Sequence, residues 1–171
     1  MIVSISRPNI PSMIGAASAL TTDKAVKLFE KFHIFTRAEL ESREEIVYET
    51  YAKSINIEAL TMIDMASKQI IPAVVGYTQK LARAALDVQA VGVEPVAQKE
   101  LLEQVNEKLT ETKRALEELK KEEAIASVMT NAKEQAFFYR DVVMPAMNAL
   151  RKPADELEGL VDKEDWPVPT Y

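Results

Sequence analysis

Cysteine is absent from all 171 residues, which excludes disulfides and thiolate metal sites at the outset. Glycine is nearly as scarce, with four residues. Sandwiches and doubly wound sheets spend glycine in their turns, so both are poor fits. Aromatic residues make up only 6%, and there is one histidine and one tryptophan. No apolar run approaches the roughly 20 residues that a membrane span needs. Basic side chains are outnumbered, 21 Lys and Arg against 27 Asp and Glu, for a formal charge of −6. Nucleic-acid binding draws on a basic surface that displaces counterions, so that partner class is disfavoured. What remains is an ordinary soluble composition in a chain long enough for one domain with a core. The reading is all-α: a helical bundle.

Residues 1–20, MIVSISRPNIPSMIGAASAL, end in small residues as a signal peptide does. They lack a basic start, however, and Pro8 and Pro11 interrupt the apolar stretch. They read as an extended lead-in, and the compartment as cytoplasmic. The helical domain is expected over 21–162. Thr21, Thr22 and Asp23 cap a short helix through about Phe32, with Val26, Phe29 and Phe32 on one face. Thr36 and Glu39 form a capping box that opens a much longer one. Neither Gly nor Pro appears between Arg37 and Pro72, and Leu40, Val47, Tyr51, Ile55, Ala59, Met62 and Ala66 trace one stripe. Pro72 lacks an amide hydrogen and clashes with the Lys68 carbonyl, so a kinked core helix is expected. Gly92 and Pro95 then punctuate an αα-hairpin turn near 92–95.

The returning helix, about 95–129, is of another kind. Leu102, Val105, Leu109, Thr112, Leu116 and Leu119 keep a strict 3-4 alternation, while Glu and Lys crowd the other faces. This narrow seam predicts a helix that projects or lies along an edge rather than in the core. Asn131 opens a segment, QAFFYRDVVMPAMNAL, that is apolar nearly all round. It carries Pro145 inside, and VVMPAM and IIPAVV form at most a degenerate repeat. Pro153 is expected to start a last short helix. Residues 163–171, ending WPVPTY, cannot be helical and read as an extended docking tail carrying Trp166 and Tyr171.

Chemistry-bearing patterns are missing. His33, within KFHIF, has no Ser or Asp partner placed by any motif. A di-metal carboxylate bundle needs two Glu-x-x-His pairs, and one histidine cannot supply them. No phosphate-binding glycine loop, HExxH or GxSxG occurs. No catalytic, cofactor-binding or metal residue is therefore assigned. On the long helix, Asp64 and Lys68 read as an exposed i,i+4 pair, Glu58 borders the apolar arc near Met62 and Met65, and Asn56 and Ser67 fall inside it and require partners.

Two blocks, INIEALTMIDMASKQIIPA and EQAFFYRDVVMPAMNALRKPADELEGLVDKEDWPVPTY, resemble the C-terminal region of type III glutamine synthetases, the large bacterial form. RAELESREEIVYETYAKS, just upstream, is similar to the same family, and the resemblance covers about residues 20–171. It implies a parent enzyme that joins glutamate and ammonia with ATP hydrolysis and divalent metal (Mg) ions, in a ring-built oligomer. It also implies that the metal- and nucleotide-binding residues lie in an upstream β-rich portion, so that this part alone is inactive. Its partners would be that catalytic portion and neighbouring subunits. Assembly, subunit contact or conformational support is the expected role. The alternative is a free-standing helical interaction module whose seam recruits a partner helix.

Overall fold

In the computed structural model, residues 12–169 are described, and all their regular structure is helical. Helix α1, Met13–Ala17, starts at Ser12, whose Oγ accepts a hydrogen bond from the Gly15 amide at 3.1 Å. This corrects the extended lead-in over its last third. Ile14 and Ala17, one turn apart, are buried beside Tyr48 and Ala136, and that burial holds the short helix. Residues 1–11 lie outside the described residues.

Helix α2, Asp23–Lys31, is capped by Thr22 and buries Val26. Phe32 does not share that face: it sits past the helix end and is exposed. The helix stops through a Schellman arrangement, with the Ile34 amide bonded to the Phe29 carbonyl and the His33 amide to that of Glu30. His33 takes the left-handed position, φ 52°, that glycine usually fills.

Helix α3, Arg37–Met65, opens on the full capping box: the Thr36 hydroxyl accepts from the Glu39 amide, and the Glu39 carboxylate accepts from the Thr36 amide. It continues through a π-helical turn, Ala66–Ile70, into α4, Ile71–Ala90. The chain is thus helical without a break from Arg37 to Ala90. Pro72 accounts for the π turn. Its ring would strike the Lys68 carbonyl in a regular helix, and widening the turn around Lys68 removes the clash. The same device recurs. Helix α6, Ala132–Phe138, passes through a second π turn, Tyr139–Val143, into α7, Met144–Glu158. Pro145 would strike the Asp141 carbonyl, which lies in that turn. Each proline is the second residue after its π turn, so the two similar strings IIPAVV and VVMPAM share a backbone solution. Pro153 does not open a helix of its own. It lies inside α7 and is buried, as are Leu150, Ala154 and Leu157.

Gly92, at φ 86°, ends α4 and turns the chain into α5, Val96–Ser127. The hairpin exists, but its returning helix is no edge element. Helix α5 packs on α7 even more extensively than on α4. Its distal part does project: between Leu81 and Val105 only Ala85 and Pro95 are buried. The second contact draws on the seam itself: Leu116 and Leu119 cluster with Leu150 of α7, with Ala115 packed against them, and Val105 clusters with Leu157 of α7.

Beside the small cluster around Tyr48, two larger apolar clusters form among the described residues. The larger joins Ala52, Ile55 and Ala59 of α3, Leu116 and Leu119 of α5, Tyr139 and Val143 of the second π turn, and Leu150 of α7. The second joins Val74 and Leu81 of α4, Val105 of α5, Leu157 of α7, and Val161 and Trp166 beyond it.

Candidate interaction surfaces

The five seam residues divide between the two clusters. Leu116 and Leu119 are buried in the larger; Val105 is buried in the second, where Leu102 and Leu109 pack part-buried. The seam is therefore covered by the chain's own helices. Beside it, Lys108 Nζ pairs with Glu111 at 2.9 Å and with Glu156 of α7 at 2.8 Å. The hydrogen bonds to Glu156 and Glu111 raise the Lys108 ammonium above its ordinary range, and the bond from Lys108 lowers the Glu156 carboxyl.

Trp166 lies in the second cluster and is 9% exposed, and next to it Asp165 accepts two bonds from Lys80 Nζ of α4, at 2.5 and 2.8 Å. Residues 163–169 are non-helical and run across the base of the hairpin. Tyr171 lies outside the described residues.

The polar residues of α3 and the first π turn have separate fates. Asn56 is part-buried, and its Nδ2 donates to the Tyr139 hydroxyl at 2.7 Å and to Glu123 of α5 at 3.4 Å. Ser67 donates to the Ile63 carbonyl of its own helix. Asp64 and Lys68 pair on the exposed face. His33 is exposed at its turn, with no acid or hydroxyl partner among the described residues. Among those residues no three His, Asp or Glu side chains are grouped to hold a metal ion.

A second surface had no name in the sequence reading. Between α3 with its π turn and α7 runs an open groove of about 810 Å³. Met62 and Met65 line one wall, Met144 and Met147 the other, and Trp166 and Val168 close one end. Glu58, Arg151, Asp155 and Glu158 stand on its lining, and Arg151 Nε donates to Asp155 at 3.2 Å. Among the described residues, two buried side-chain polar atoms have no hydrogen-bond partner: Glu158 Oε1 and Trp166 Nε1. Both belong to residues of this groove. The available sequence signal was the doubled Met-x-x-Met spacing, once just before the first π turn and once just after the second.

Residues 6–89 match a family profile described as the glutamine synthetase C-terminal domain. The chain is 33% identical over 173 residues to the type-3 glutamine synthetase of Dictyostelium discoideum, an alignment covering 95% of this chain and 23% of the relative. It is 33% identical over 166 residues to the glutamine synthetase of Butyrivibrio fibrisolvens, covering 96% and 24%. With that of Bacteroides fragilis (strain YCH46) it shares 29% over 154 residues, covering 86% and 21%. The similarity thus extends beyond bacteria, and the chain spans about a quarter of the length of these relatives. On these matches, the chain belongs to the glutamine synthetase C-terminal domain family.

Proposed function

We infer that the chain serves as the non-catalytic helical domain of a type III glutamine synthetase, a ligase that joins glutamate and ammonia to glutamine. ATP and a divalent metal such as Mg would be held in the remaining three quarters of such an enzyme. The observation that carries this reading is the asymmetry of the matches: nearly all of this chain aligns, with about a quarter of each relative. A supporting role fits its shape: the described residues form a packed helical body that would sit against the catalytic portion, and the projecting hairpin would reach neighbouring subunits. The domain then acts through assembly, subunit contact or conformational support rather than through chemistry.

Deleting the corresponding region from the Butyrivibrio fibrisolvens enzyme tests this. The expected result is a smaller oligomer by light scattering and reduced glutamine formation. Unchanged size and unchanged activity would overturn the supporting role and favour an independent interaction module.

A further inference from the structure

We propose that the groove between α3 and α7 is an oxidant-responsive site, whose methionines a peroxide converts to sulfoxides with loss of the packing beneath them. The chain has no cysteine, so its thioethers are its only oxidisable sulfurs. It has seven, and four of them, Met62, Met65, Met144 and Met147, line this one groove. All four are part-buried, and the groove is open, so a molecule as small as hydrogen peroxide reaches them.

The oxidation is a two-electron transfer. A sulfur lone pair attacks one peroxide oxygen, and the S–O bond forms as the O–O bond breaks. Sulfur gives up two electrons and the second oxygen takes them. The proton on the new S–O–H group passes to that oxygen, which leaves as water. A polar side chain with an oxygen acceptor then stands where an apolar one stood. Position decides the consequence. Met62, Met144 and Met147 pack against the larger apolar cluster, where side chains such as Val143 and Leu150 offer no hydrogen-bond donor. A sulfoxide there must turn out toward water, and its contacts with the cluster are lost. Met13 is the contrast: it is 56% exposed on α1, and its sulfoxide stays hydrated. Nor do the four groove sulfurs react alike. The Tyr51 hydroxyl donates to Met144 Sδ at 3.2 Å and so engages a lone pair that attack on peroxide needs. Met144 is therefore the slowest of the four.

Treatment of the 171-residue chain with hydrogen peroxide tests the site, with peptide mass spectrometry reading each sulfoxide and urea unfolding reading stability. Sulfoxides are expected at Met62, Met65 and Met147 first and at Met144 last, with a fall in the urea midpoint that tracks the groove positions and not Met13. Methionine sulfoxide reductases acting on both epimers should restore the midpoint. Tyr51→Phe, which keeps the ring and removes the hydroxyl, should raise the Met144 rate several-fold. Met62→Leu with Met147→Leu conserves volume and should lose less of its midpoint under the same treatment. Circular dichroism checks the fold of that variant, and the reductase step on the wild type needs no variant. Groove sulfoxides that form with no change in midpoint overturn the proposal, as does a Met62→Leu, Met147→Leu variant that loses as much as the wild type. A Met144 rate unchanged by Tyr51→Phe overturns the protection assigned to Tyr51.

Discussion

His33 holds a backbone conformation that is unfavourable for any residue with a Cβ, and it does so on the surface, where its ring touches no acid or hydroxyl among the described residues. His33→Gly is therefore expected to stabilise the chain by about 0.5–1 kcal/mol, the relief of strain exceeding the added entropy of the unfolded state. Gly92→Ala, at φ 86° with open space around it, is expected to cost about 1 kcal/mol for strain alone. Urea unfolding midpoints check both. Gly92 was readable because glycine announces that conformation; His33 was not, because an apolar neighbourhood disguises a helix cap. Glu44 was equally hidden, one acid among several. It is buried, with its Oε1 accepting from the Tyr48 hydroxyl at 2.5 Å and lying 3.7 Å from Lys133 Nζ. Burial pushes its carboxyl up, but the hydroxyls of Tyr48 and Thr21 together with Lys133 outweigh that and hold it below the ordinary value. A depressed folded-state carboxyl stabilises above its unfolded pKa and loses that contribution as pH falls through the folded one. Stability should therefore decline on acidification below about pH 4.5, the ordinary carboxyl value. In Glu44→Gln that decline should be shallower, as denaturant titrations at successive pH values would show.

At the scale of elements, the two prolines show how far a sequence rule carries. Clash with the carbonyl four residues back was legible at Pro72; the π turn that relieves it was not, because the clash alone does not say how the backbone gives way. The second π turn places Tyr139 and Val143 fully in the larger cluster, and the Tyr139 hydroxyl accepts from Asn56, so the inserted residue aims side chains that a straight helix would misdirect. Helix α5 shows the converse. Its seam packs inward, yet a 3-4 pattern carries no sign of which helices cover it, and α7 covers it as well as α4. The consequence is measurable. Leu116→Ala removes a side chain from the larger cluster and is expected to destabilise the whole domain by about 2–5 kcal/mol. Leu109→Ala, part-buried in the second cluster, should cost less. Were α5 an edge element, Leu116→Ala would leave the denaturant midpoint of the body where it was.

For the whole molecule, α5 and α7 are the elements that both clusters share, and this couples the clusters. Leu116 and Leu119 feed one and Val105 the other, while α7 contributes Leu150 to the first and Leu157 to the second. Neither cluster can open while the other keeps these two helices fixed. The body should accordingly unfold as one unit, and the chain carries its own reporter: Trp166 is its single tryptophan and sits in the second cluster. In a urea titration, tryptophan emission follows that cluster, whereas far-ultraviolet circular dichroism follows all the helices. Coincident midpoints are expected, since separable clusters would give tryptophan its own transition. The distal hairpin stands outside this coupling. Between Leu81 and Val105 its helices bury Ala85 and Pro95 and otherwise lean on each other. Its amides should exchange with solvent through local opening, faster than those of Leu116 or Leu150, with the gradient running from the Gly92 turn toward the base. Uniform protection along α5 would place the tip inside the cooperative unit and leave it without the freedom to adapt to a partner's surface.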